Sequence, residues 1–127
     1  YVLADLGTGQ PQLILMASGS EVALVVEAGR RLAEEGLAVR LVSFPSWELF
    51  LDQDAAYRDA VLPPEVTARV AVEAGVTLGW HRWVGSAGCV IGLDRYGASA
   101  PYTTVFPKFG FSADNVVQTA KDLVGQR

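Results

Sequence analysis

Short, almost continuous apolar segments alternate with amphipathic helical patterns along this sequence, and this alternation restricts the fold more than any other feature. The apolar segments are residues 13–17, 38–44, 68–73 and 89–94. Runs of this length without polar alternation are typical of parallel strands that are covered on both faces. Residues 1–4 are expected to add a short edge strand. The pattern therefore predicts a mostly parallel sheet with helices on both faces.

Three helical patterns connect or follow these segments. The first has Ser20 as its predicted N-cap and Gly36 as its C-terminal stop. The second covers about residues 54–62 and stops at the prolines that follow. The third has Ser112 as its predicted cap, and its inward stripe consists of Val116, Val117, Ala120, Leu123 and Val124.

Composition and charge exclude several classes of function. The chain has 127 residues, of which 50% are hydrophobic and 19% charged, as in a single globular domain. No apolar run is longer than that of Leu13–Ala17, which is far shorter than the roughly 20 residues of a membrane span, so no membrane partner is expected. Ten Lys and Arg are scattered among fourteen Asp and Glu, and the net charge is -4. Nucleic acid is therefore not an expected partner either.

Cysteine and methionine usage adds two expectations. Cys89 is the only cysteine, which excludes an internal disulfide and suits the cytoplasm. Its apolar neighbours predict a buried structural thiol. The chain opens on Tyr1 and its only methionine is Met16, so we expect it to be part of a longer protein.

The turn Ser18-Gly19-Ser20 joins the first apolar segment to the first helix, where phosphate-binding turns of α/β proteins occur. It lacks the G-x-G-x-x-G spacing and the lysine of a P-loop. We favour a structural turn and leave weak anion binding open. The other predicted strand ends, at residues 44–46, 73–75 and 94–95, are expected at the same edge of the sheet. Catalysis by a pair of Glu73 and Asp94 is not favoured.

The stretch Trp80-His81-Arg82-Trp83 holds the only histidine and two of the three tryptophans. A single histidine has neither the partners of a metal site nor those of a catalytic triad. Aromatic residues with arginine are enriched at the centres of protein interfaces. We therefore give equal weight to two hypotheses for this stretch: packing in the core of the domain, and contact with another domain or subunit. The contact hypothesis expects both tryptophans to be exposed in the free domain.

Six sequence blocks, in order, resemble the carboxyl-terminal domain of transketolase along almost the whole chain. They are LILMASGSEV, VRLVSFPSWELFLDQDAAYRDAVLP, ARVAVEAG, GWHRWVG, IGLDRYGASAP and FGFSADNVV. The resemblance implies a three-layer α/β/α sandwich with a five-stranded mixed, mostly parallel sheet. Its antiparallel strand is the first, residues 1–4.

The resemblance also implies a function for residues 1–127 as the carboxyl-terminal domain of a longer chain. Transketolases are cytoplasmic homodimers of the pentose phosphate pathway. They transfer a two-carbon ketol unit from a ketose phosphate to an aldose phosphate, using thiamine diphosphate and a divalent metal, Mg²⁺ or Ca²⁺. In this family the cofactor lies between the other domains.

The domain is therefore expected to be a scaffold that supports the dimer. We expect it to supply no catalytic, cofactor-binding or metal-binding residues and to be inactive alone. Ser18-Gly19-Ser20 is then a structural turn. The alternative is an independent α/β module that binds a small molecule or nucleotide.

Overall fold

The computed structural model of the chain describes residues 1–44, 50–73, 80–92, 103–105 and 113–125. Six strands in these residues form one sheet in the order β1-β3-β2-β4-β5-β6. β1 is antiparallel to β3, and all other neighbours are parallel. The strands are β1 (Val2–Leu6), β2 (Leu13–Ala17), β3 (Val39–Ser43), β4 (Arg69–Glu73), β5 (Cys89–Gly92) and β6 (Thr103–Val105).

The predicted fold class is confirmed, with a mixed, mostly parallel sheet and an antiparallel first strand. The sheet is one strand wider than the predicted five, because Thr103–Val105 pairs with β5. A strand of three residues is too short to show a hydrophobic period, so no sequence pattern predicts it. The last two residues of the predicted strand 89–94 lie outside the described residues.

Four α-helices are described, and the first follows a 3₁₀ turn, Gly19–Glu21. They are α1 (Val22–Glu34), α2 (Ala55–Val61), α3 (His81–Val84) and α4 (Ala113–Gly125). The prediction of Ser20 as the N-cap of α1 is wrong, because Ser20 lies inside the 3₁₀ turn. The N–H of Val22 donates to the carbonyl of Gly19, so the turn itself leads into the helix. The predicted cap Ser112 lies outside the described residues.

The predicted stop of α1 at Gly36 is confirmed. Gly36 has φ +96°, the left-handed conformation that glycine adopts without steric cost. Its N–H donates to the carbonyl of Ala33 (3.0 Å), and the N–H of Leu37 donates to that of Leu32 (3.1 Å). This pair of bonds is a Schellman motif, which satisfies the last carbonyls of the helix.

Two hydrophobic clusters cover opposite faces of the sheet. Alternate residues of β2 divide between them, with Leu13 and Leu15 in the first and Ile14 and Met16 in the second. α1 and α4 cover the first face, which also contains Cys89. Cys89 is buried, as predicted. The second face is covered by the shorter helices α2 and α3 together with several aromatic rings.

Asp54 caps α2, and its replacement gives a first testable prediction. Its carboxylate accepts a hydrogen bond from the backbone N–H of Tyr57 (2.8 Å). We expect Asp54→Ala to lower the free energy of unfolding by about 1 kcal/mol, since an N-terminal donor of the helix loses its acceptor. Asp54→Asn keeps an acceptor oxygen and is the matched control. Urea denaturation of both variants tests this, and equal loss in both would contradict the capping role.

Candidate functional site

The carboxyl edge of the sheet is the first place where a ligand site is expected. β3 lies on one side of β2 and β4 on the other, so the chain reverses its direction of winding between β2 and β4. Open α/β sheets bind ligands at such a switch point. Ser18 and Gly19 follow β2 at this edge, and Glu73 ends β4. The other predicted edge residues, 45–46, 74–75 and 94–95, lie outside the described residues.

The turn after β2 has a simple geometry. Ser18 is extended (φ -129°, ψ 156°) and makes no side-chain capping bond. Gly19 has φ +62°, which turns the chain into the 3₁₀ segment. The side chain of Ser20 is outside the described part of the structure. These features fit a structural turn, and weak anion binding there stays a prediction.

Glu73 is hydrogen-bonded to Trp80, the first residue of the stretch 80–83. The indole Nε1–H of Trp80 donates to the Glu73 carboxylate (2.8 Å). This hydrogen bond gives the one polar group of a fully buried side chain an acceptor. It also joins the end of β4 to the residue just before α3. A pairing of Glu73 with Asp94 cannot be placed, since Asp94 is outside the described residues.

The two tryptophans of residues 80–83 pack inside the second cluster. Trp80 is 0% exposed and Trp83 is 7% exposed, so the expectation that they would be exposed in the free domain is wrong. The Phe44 ring lies 5.7 Å from the Trp80 ring and 5.4 Å from the Trp83 ring, between centroids. The Phe50 ring meets Trp83 edge to face at 5.1 Å. Aromatic rings therefore make up much of the buried cluster on this face.

The remaining two residues of the stretch 80–83 are His81 and Arg82. Arg82 is exposed, and its guanidinium carbon lies 5.3 Å from the centroid of the Trp83 ring, within cation–π range. The side chain of His81 is not in the described part. Core packing is therefore what the structure shows for the two tryptophans. Contact of this stretch with another domain or subunit stays a prediction.

Arg69, the first residue of β4, has a role that the sequence analysis missed. Its guanidinium donates to the carbonyls of Val66 (2.9 Å), Trp83 (2.7 Å), Pro63 (2.9 Å) and Leu62 (3.3 Å). Burial lowers the pKa of Arg69 from its ordinary value, and the charge of Glu65 opposes this shift. The only sequence signal was an arginine at the start of a strand whose three central residues are apolar.

The described residues do not fit the divalent metal that the resemblance implies. Within them, no three or more His, Cys, Asp or Glu side chains lie close enough together to hold a metal ion. No step through a metal is therefore assigned to these residues. The described helices also include none that is long and apolar enough to cross a membrane.

Comparison with known proteins gives consistent matches along the chain. The family model described as "Transketolase-like TK C-terminal domain" matches residues 1–112. The transketolase of Geobacillus stearothermophilus is 48% identical over 126 residues, which is 99% of this chain and 19% of that protein. Transketolase 1 of Vibrio parahaemolyticus serotype O3:K6 is 52% identical over 124 residues, 98% of this chain and 18% of that protein.

A solved structure of a transketolase also matches this chain. The transketolase from Leishmania mexicana superposes with a TM-score of 0.79 and 40% sequence identity, covering 99% of this chain and 18% of that one. The chain thus spans less than a fifth of the length of the relatives that it matches. The resemblance stated from the sequence blocks is confirmed. The chain belongs to the transketolase C-terminal domain family.

Proposed function

We propose that this chain is the carboxyl-terminal domain of a transketolase. The longer enzyme transfers a two-carbon ketol unit from a ketose phosphate to an aldose phosphate in the pentose phosphate pathway. It uses thiamine diphosphate and a divalent metal, Mg²⁺ or Ca²⁺, and works as a homodimer in the cytoplasm. The observation that carries the proposal is about 50% identity to curated transketolases along 98–99% of the chain.

The role of the domain in that enzyme is to act as a scaffold and to support the dimer. Its described residues offer no cluster for the metal, so the chemistry is assigned to the remaining domains. Residues 80–83 are proposed to contact another domain or subunit. The buried tryptophans would act there indirectly, by fixing α3, while Arg82 presents its side chain to solvent.

Activity and cofactor binding together test this proposal. We expect the longer enzyme to transfer ketol units only with thiamine diphosphate and Mg²⁺ present, and the 127-residue chain to show no transfer. Isothermal titration of the 127-residue chain with both is expected to give no heat beyond that of a control titration with inorganic phosphate. Micromolar affinity for thiamine diphosphate in that titration would show that the chain itself holds the cofactor and that the scaffold role is wrong.

A second candidate function is an independent module for a small molecule or nucleotide. The switch point between β2 and β4 favours it, because such edges often bind ligands. The turn after β2 has one glycine where a dinucleotide turn has three, which opposes it. Saturable binding of NAD or ATP below about 10 μM, or roughly -7 kcal/mol, would favour this candidate.

A further inference from the structure

A cavity of about 400 Å³ lies on the face of the sheet covered by α2 and α3, away from the switch point. Three arginines from three elements line it: Arg58 of α2, Arg69 of β4 and Arg82 of α3. The aromatic rings of Phe50 and Trp83 form part of its wall. Arg69 opens its strand, so the cavity is near the amino ends of the parallel strands, opposite Ser18 and Gly19.

The charge of this cavity is opposite in sign to that of the chain. Its wall includes three arginines and one acidic residue, Asp59, an excess of two positive formal charges. The whole chain carries -4. Such a concentration of positive charge in a concave site raises the local concentration of anions.

Two of the three guanidinium groups have no acidic partner within the described part of the chain. Arg69 is occupied with backbone carbonyls, whereas Arg58 and Arg82 form no ion pair there. Arg58 Nε and Trp83 Nε1 are buried in the wall without a hydrogen-bond acceptor. A buried donor without an acceptor is energetically unfavourable, so each of these groups requires an explanation.

We propose that this cavity binds a small phosphate-bearing anion through the guanidinium groups of Arg58 and Arg82. The planar guanidinium matches the geometry of phosphate oxygens, and every charged nitrogen in the wall is a donor. If the Arg58 side chain turns towards a bound phosphate, a phosphate oxygen supplies the acceptor that Arg58 Nε lacks. The two positive charges in excess match a phosphate dianion better than a single carboxylate. This inference goes beyond the proposed function and does not depend on ketol transfer.

Nuclear magnetic resonance of the ¹⁵N-labelled chain tests the proposal directly. Inorganic phosphate is the probe, and the indole N–H of Trp83 is the reporter because this ring lines the cavity. We expect a saturable shift of its signal. The indole N–H of Trp80 is bonded to Glu73 and is expected to stay in place. Sodium chloride at the same ionic strength controls for screening and is expected to give no such shift.

Matched arginine variants identify the ligands. Arg58→Gln is expected to raise the Kd for phosphate at least tenfold, or about 1.4 kcal/mol. Arg30→Gln makes the same charge change at an exposed position of α1 on the opposite face, and we expect no change in Kd. If Arg58→Gln does not fold, Arg82→Gln at an exposed position replaces it.

Three outcomes would overturn the proposal. One is a Trp83 signal that does not saturate or that shifts equally in sodium chloride. Another is an equal Kd in the Arg58 (or Arg82) variant and in Arg30→Gln. The third is acetate binding as tightly as phosphate, which would assign the cavity to a carboxylate, such as one from another part of a transketolase.

Discussion

Replacing Trp80 with alanine is expected to lower the free energy of unfolding by about 4 kcal/mol, as for other large-to-small changes in a core. The side chain is fully buried, packs edge to face against Phe44 and donates to Glu73. Alanine would leave a cavity next to the Phe44 ring. It would also remove the hydrogen bond that joins the residue just before α3 to the end of β4. Urea denaturation of the 127-residue chain, with the midpoint and slope compared, measures the loss.

Two matched variants separate the contributions of this side chain. Trp80→Phe keeps most of the ring volume and removes the indole N–H, so we expect a smaller loss of about 1–2 kcal/mol. Tyr57→Ala removes an aromatic ring that is 40% exposed, and we expect it to cost less than Trp80→Ala. If Trp80→Ala were no more destabilising than Tyr57→Ala, the packing role of Trp80 would be wrong.

The architecture of the sheet was predictable because its signal is local. Each buried strand is a short apolar run, and the residues of β2 are buried on both faces. The stop of α1 was equally local, since Gly36 needs only its own left-handed conformation and the carbonyls of the preceding turn. Both features depend on residues that are close in sequence.

The burial of the tryptophans was not predictable in this way. Whether two indoles fit depends on how much of the second face the helices cover, which is a property of the whole fold. α2 has seven residues and α3 has four, and the rings of Phe44 and Phe50 belong to the same buried cluster as residues of both helices. The expectation that Trp80 and Trp83 are exposed in the free domain could not take these long-range contacts into account.

The cavity and its arginines were missed for a related reason. Arg58, Arg69 and Arg82 are separated by 11 and 13 residues in the sequence, and no motif links them. They meet only because α2 and α3 lie on the same face of the sheet beside the start of β4. Scattered arginines in an acidic chain can form a positive site once the chain folds.

The second large effect is expected at Arg69. Arg69→Met keeps the length and apolar part of the side chain and removes the guanidinium, and we expect a loss of about 3 kcal/mol in the free energy of unfolding. The guanidinium donates to carbonyls near the ends of both α2 and α3, where the helices have no intrahelical donors left. Its positive charge also suits the negative end of each helix dipole.

Burying a charge is costly, and replacing a buried ion pair with apolar residues is often neutral or stabilising when both partners are replaced. The partners of Arg69 are backbone carbonyls, which no substitution removes, so Arg69→Met takes the guanidinium donor from all four of them. The Pro63 carbonyl still accepts from the N–H of Val66. Arg69→Lys keeps the charge, but one ammonium group cannot reach all four carbonyls, and an intermediate loss is expected. Arg30→Met is the control for loss of an exposed arginine, with an expected change within about 0.5 kcal/mol. Equal urea midpoints for Arg69→Met and Arg30→Met would show that these hydrogen bonds do not stabilise the helices.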